Sequence, residues 1–185
     1  MKNLILKSLL VGSLLASSAF GYEASSVKVN VMAYKTKAKS GVAITFDKVS
    51  LSIKKNTDFA KFITSAEVSI DVNSINSKMK FRDNNIKATL FKIANISEVK
   101  AKVLKVTGND KTGTLDVEVS MNNVKKIIPM KYTVSSGTLK ADGVLDILDF
   151  AMSKSYAAFA AKCKGFHGGK SFSDVALSFS LPFTK

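Results

Sequence analysis

The chain has 185 residues, 46% of them hydrophobic, with 28 basic and 14 acidic side chains and a formal net charge of +14. That length holds one domain with a real core, and a single cysteine, Cys163, excludes an intramolecular disulfide. The lysines are spread along the chain, often at every second position, so two readings of the charge stay open: a solvated basic surface, or a face for anionic membranes.

Residues 1–21 place Lys2 and Lys7 before a short apolar run and end on Ala19-Phe20-Gly21. This pattern predicts a secretory signal peptide, with the working domain over residues 22–185 and export to the periplasm. The apolar run is shorter than the roughly 20 residues that span a bilayer. An exported protein works without cytoplasmic levels of ATP or NAD(P)H, which removes most kinase, NTPase and dehydrogenase readings.

Period-two alternation follows. Val27, Val29 and Val31 alternate with polar neighbours, as do Val42, Ile44 and Phe46. The phase then slips before Val49, Leu51 and Ile53, which predicts a bulge or tight bend near Asp47 and Lys48. Ala66, Val68, Ile70 and Val72 form the next strand. Residues 81–93 break the pattern and predict a helix, with Ile86, Leu90 and Ile93 on one face. Strands resume at Val99 to Val103, Leu115 to Met121, Met130 to Val134 and Leu139 to Ile147. Residues 154–164 predict a second helix with Tyr156, Phe159 and Ala160 on one face, stopped by Gly165, Gly168 and Gly169. The last strand runs from Val175 to Phe183. Turns at Gly108 to Gly113 and at Ser135-Ser136-Gly137 connect hairpins. The expectation is a mainly β, antiparallel meander of about eight or nine strands, closed into a barrel or folded as a sandwich.

Catalytic signatures are scarce. His167 is the only histidine, and with Cys163 it offers two metal ligands where structural zinc takes four. A surface-loop histidine and a small apolar cysteine are the plain readings of the two. Gly169-Lys170-Ser171 imitates the end of a phosphate loop, but Lys164 stands where that motif requires glycine. There is no G-x-S-x-G. The sequence therefore points away from an enzyme, with no cofactor and no metal expected.

Three segments carry a resemblance. Ser74-Ile75-Asn76-Ser77, Phe81-Arg82-Asp83-Asn84-Asn85-Ile86 and Leu90-Phe91-Lys92-Ile93 together resemble the S-I-N-T, R-D-x-H-L and F-F-x-V signature of the YceI-like family. Gly113-Thr114-Leu115, leading to Asn123-Val124-Lys125-Lys126, resembles that family's G-T-L hairpin, and Asp149-Phe150-Ala151-Met152 its D-F-G element. The order and spacing agree over most of residues 26–183. Asn85 stands for the family's His, Leu90 for the first Phe of its F-F pair, Ala151 for its Gly and Ile127 for a Pro.

The resemblance implies a lipocalin-like antiparallel barrel of about eight strands with a helix against it. Such a barrel would hold a polyisoprenoid, an isoprenoid quinone or a fatty-acid-derived amide. Phe46, Phe81, Phe91, Met121, Met130, Phe150, Phe159 and Phe179 are the candidate interior contacts, because Phe and Met adapt to a flexible chain. Arg82 and Asn85 are candidate head-group contacts, and the plainer reading of Arg82 with Asp83 is a surface or helix-end ion pair that fixes the helix. Transient contact with an anionic membrane and a homodimer are further expectations; nucleic acid is not an expected partner. The competing reading is a filled barrel that serves as a structural or interaction protein of the envelope.

Overall fold

The computed structural model describes residues 20–185. Apart from Phe20 and Gly21, the predicted signal peptide lies outside the described residues.

Ten antiparallel strands form one curled sheet: β1 (Lys28–Lys35), β2 (Ser40–Phe46), β3 (Val49–Ser52), β4 (Glu67–Asp71), β5 (Ile75–Asn76), β6 (Glu98–Gly108), β7 (Thr112–Met121), β8 (Val124–Ser135), β9 (Thr138–Asp146) and β10 (Ser171–Pro182). Their order is β3-β4-β6-β7-β8-β9-β10-β1-β2-β5. The phase slip at Asp47 and Lys48 is the corner that unites its ends. Phe46 pairs with Ile75 at one end of the order, and Val49 pairs with Ile70 at the other. Across this corner the Asp47 N–H donates to the Ser74 carbonyl at 3.0 Å, and the Asp71 N–H donates to the Lys48 carbonyl at 3.2 Å. Two long strands are thus each bent once, β2 into β3 and β4 through the turn Val72–Ser74 into β5. Counted without the bends, about eight strands go round, as the alternation implied.

Turn chemistry sets the register. Asn122 and Asn123 have φ of 51° and 59°, and Ser136 and Gly137 have 48° and 69°. These are two-residue loops of the type whose twist suits hairpins. They join β7 to β8 and β8 to β9, where Met121 pairs with Val124 and Ser135 with Thr138. Strand β8 begins six residues before Met130, because Lys125, Lys126 and the 60% exposed Ile127 hide its alternation.

Three helices complete the fold: α1 (Phe59–Thr64), α2 (Lys80–Ile86) and α3 (Ser153–Cys163). The last two match the predicted helices. Helix α1 has only six residues, too few for its apolar spacing to repeat, although Asp58 caps it by accepting from the Lys61 N–H at 2.9 Å. Its Phe59, Phe62 and Ile63 close one end of the barrel. There Tyr22 stacks on Phe62 at 5.7 Å and meets the edges of Phe59 and Phe183 at 5.3 and 5.6 Å. Tyr22 is pinned because its N–H donates to the Asn56 carbonyl at 2.8 Å. Ring edges against ring faces favour such a cluster beyond the area it buries.

After α2 the chain winds into a π-turn, Lys87–Phe91, in which the Lys92 N–H donates to the Lys87 carbonyl. The extra residue in this turn shifts the helical phase. Phe91, and not Ile93, joins Ile86 and Leu90 on the inner face, and Ile93 is left 42% exposed.

Candidate functional site

At the end away from α1 the inward faces of the strands enclose a cavity of about 160 Å³. Strand β1 contributes Val29, Val31 and Ala33, β2 contributes Ile44 and Phe46, and β10 contributes Val175, Leu177 and Phe179. Ala101 of β6 and Met121 of β7 face them. The π-turn and α3 cover the cavity with Leu90, Phe91 and Phe159. Every lining residue is apolar. Such a space attracts hydrocarbon and offers nothing to a charged or strongly hydrogen-bonding group. A narrower gap of about 40 Å³ lies toward the aromatic end and shares Val68, Ala101 and Phe179 with the larger cavity.

The cover is tied down at one point by a polar latch. The Tyr156 hydroxyl of α3 donates to the Ser171 carbonyl at 2.8 Å, next to Phe172, which lines the cavity. Burial, with the carboxylates of Asp146 and Asp174 nearby, raises the pKa of this phenol and keeps it a donor. Burial also pushes the Cys163 thiol up, which suits a packed side chain and not a reactive thiolate. Helix α3 ends at Cys163, so Cys163 and His167 do not sit on successive turns of one helix.

The candidate residues divide into three groups. Phe46, Phe91, Met121, Phe159 and Phe179 line the cavity. Met130 and Phe150 are 1% and 0% exposed, but they pack in the core outside the cavity lining. Phe81 is not interior at all: it is 58% exposed and its ring meets Phe166 edge-on at 6.1 Å. Phenylalanine was a good guide to apolar burial and a poor guide to which face of an element it occupies.

Arg82 and Asp83 brace the entry to α2. The Arg82 guanidinium donates to the Ser77 carbonyl at 3.3 Å and approaches the Met79 sulfur at 3.8 Å. The Asp83 carboxylate accepts from the Ser77 N–H at 2.9 Å. Among the described residues the two hold Ser77 in place of each other, which corrects the ion-pair reading. Asn85 is half-buried, its carbonyl accepts from the Thr89 hydroxyl at 2.6 Å, and it is outside the cavity lining.

Met152, whose residue type also suits an interior place, lines the cavity, whereas Phe172 and most of the aliphatic lining were missed. Strand alternation already marked Val29, Val31, Ile44 and Val99 as inward. Choosing by face, and only then by residue type, would have found them.

A model of the YceI-like domain matches residues 20–183. Three solved structures share the fold. A polyisoprenoid binding domain from Saccharophagus degradans, implicated in plant cell wall breakdown, is 16% identical with a TM-score of 0.62, covering 88% of this chain and 96% of its own. BcnA from Burkholderia cenocepacia is 14% identical with a TM-score of 0.60, covering 86% and 96%. A YceI protein from Campylobacter jejuni is 17% identical with a TM-score of 0.57, covering 79% and 86%. No curated protein matches the chain.

Proposed function

The chain belongs to the YceI-like family, and from that premise we propose that it is a binding or carrier protein for a long-chain amphiphile. The single observation that carries this reading is a barrel cavity lined only by apolar side chains. The relative described as a polyisoprenoid binding domain supports the same ligand class. A polyisoprenoid, an isoprenoid quinone or a fatty-acid amide all present the flexible hydrocarbon that this lining suits. Each methylene that enters contributes roughly 0.8 kcal/mol before ordering costs.

The cavity is smaller than the roughly 300–1,000 Å³ of ordinary ligand sites, so a long chain enters by displacing its cover. The half-buried Leu90, Phe91 and Phe159 are the movable side chains, since they belong to the π-turn and α3 and not to the sheet. The head group stays at the mouth, because the lining offers it no polar partner. The protein works in the periplasm and binds without chemistry. Supporting the second point, the cavity presents no acid, base or nucleophile.

Mass spectrometry of the protein purified without detergent tests this reading. Native spectra should show a stoichiometric hydrophobic adduct, and an organic extract should name its class. A clean mass that stays clean after incubation with prenyl quinones and fatty amides overturns it in favour of the filled barrel.

A further inference from the structure

Two segments that flank the cavity cover meet at its outer tip. Phe81, on the first turn of α2, touches Phe166, just beyond α3, ring edge to ring face. Phe81 is 58% exposed, Phe166 48% and neighbouring Met79 50%. Isolated exposed apolar residues are ordinary, but two aromatic rings and a methionine brought together from distant parts of the chain are a patch.

The sequence on either side of the two rings is mainly basic, with Asp83 as the nearest acid. Residues 77–82 contain Lys78, Lys80 and Arg82 and no acid, and residues 161–171 contain Lys162, Lys164 and Lys170 and no acid. Elsewhere, three lysines of the outer sheet are matched by acids. Lys102 pairs with Glu67, Lys100 with Glu98 and Lys125 with Glu118, each within 3.0 Å. The tip therefore sets exposed rings beside lysines that carry no such ion pair among the described residues. This composition suits an interface that is negative at its surface and apolar just beneath, where lysine stems lie along hydrocarbon and their ammonium groups meet phosphate.

We propose that the Phe81–Phe166 tip is a docking face for an anionic lipid bilayer. Its rings enter the headgroup boundary, and Lys78, Lys80, Lys162, Lys164 and Lys170 meet the lipid phosphates. Docking by this tip sets the cover formed by the π-turn and α3 toward the membrane. The inference deepens the carrier reading by giving it a face for loading, yet it rests on separate residues and can fail separately.

Co-sedimentation with phosphatidylcholine vesicles, with and without phosphatidylglycerol, tests it. The protein should bind the anionic vesicles, and binding should weaken with added salt. Phe81→Ser with Phe166→Ser should reduce binding by roughly tenfold. Lys162→Glu with Lys164→Glu should reduce it at least as much at low salt. Both pairs are at exposed positions, so their unfolding midpoints should stay near the parent's. Binding that is equal for both vesicle types, or that survives both double variants, overturns the docking face. So does a dimer in light scattering that the Phe pair dissolves while vesicles go unbound, because the patch would then belong to a second copy. Hydrophobic adducts in the mass spectra of the Phe variant separate loss of docking from loss of lipid binding.

Discussion

At the α1 end of the barrel, Tyr22, Phe59, Phe62 and Phe183 pack ring against ring with centroids 5.3 to 6.1 Å apart. At the other end, mostly aliphatic strand residues, with Phe46, Phe172 and Phe179 among them, border a space of about 160 Å³ under a helical cover. The same strands build both ends, and only the side chains on their inward faces and the segment laid over them differ. Rings that meet one another fill the first end, whereas the second has mostly Val, Ile and Ala, and its phenylalanines border the open centre without pairing among the described residues. One small barrel thus keeps a stable half and a receptive half. A local deficit of packing is tolerable when the neighbouring packing is dense.

The two ends should differ most at Phe62. Phe62→Ala, at 0% exposure in the filled end, should cost about 3–5 kcal/mol in denaturant unfolding. Phe91→Ala, in the half-buried cover, should cost clearly less because the site already borders empty space. Equal losses would mean that the two ends are packed alike.

Gly113 is a second probe of the dense half. A Cβ there would meet the Thr107 carbonyl and sit 2.8 Å from the Tyr132 hydroxyl. Gly113→Ala should therefore cost about 1–3 kcal/mol, read as a lower denaturant midpoint. The clash gives a physical reason for glycine in the G-T-L element.

Ala101 lines both the cavity and the narrower gap. Ala101→Phe should abolish uptake of a prenyl quinone in a binding titration, with a stability change below about 1.5 kcal/mol because the ring enters open space. A variant that fails to fold would show that the receptive half is not hollow in solution.

A smaller change is expected at Ala151, which has φ of 56° at the position where the family resemblance expects glycine. Ala151→Gly should raise stability by about 1 kcal/mol in thermal melts, since only glycine adopts this conformation without strain.

The smallest effect concerns pH. Burial and the nearby Asp110 raise the pKa of Tyr132, whose hydroxyl donates to the Asn109 carbonyl at 2.7 Å. A raised folded pKa means that its stabilisation is complete below the unfolded value of about 10 and is lost as pH rises through the folded one. Melting temperatures of the parent should fall more steeply above that value than those of Tyr132→Phe.

Local signals made most of the fold legible. Period-two runs marked nearly every strand, paired Asn or Ser-Gly residues suited the tight hairpins, and two helices stood out where alternation stopped. Short elements did not stand out: α1 is six residues and β5 is two, too few for a period to repeat. The candidate site was half legible. Phe46, Phe91, Met121, Phe159 and Phe179 reached the cavity. Met130 and Phe150 went into the core and Phe81 went to the surface, since residue type reports a preference for burial and not a direction.

By itself, then, the sequence determined the strand content, the positions of the main turns and the membership in a β-barrel family, because each depends on residues close together in the chain. Three features depended on tertiary structure. The corner at Asp47 and Lys48 joins sheet ends that are separated in strand order. The π-turn rotated Phe91 inward and Ile93 outward by a one-residue change of phase. The hollow half exists because side chains from eight strands and the helical segments beside them fail to meet at its centre, and only their joint placement in space decides whether a core is full.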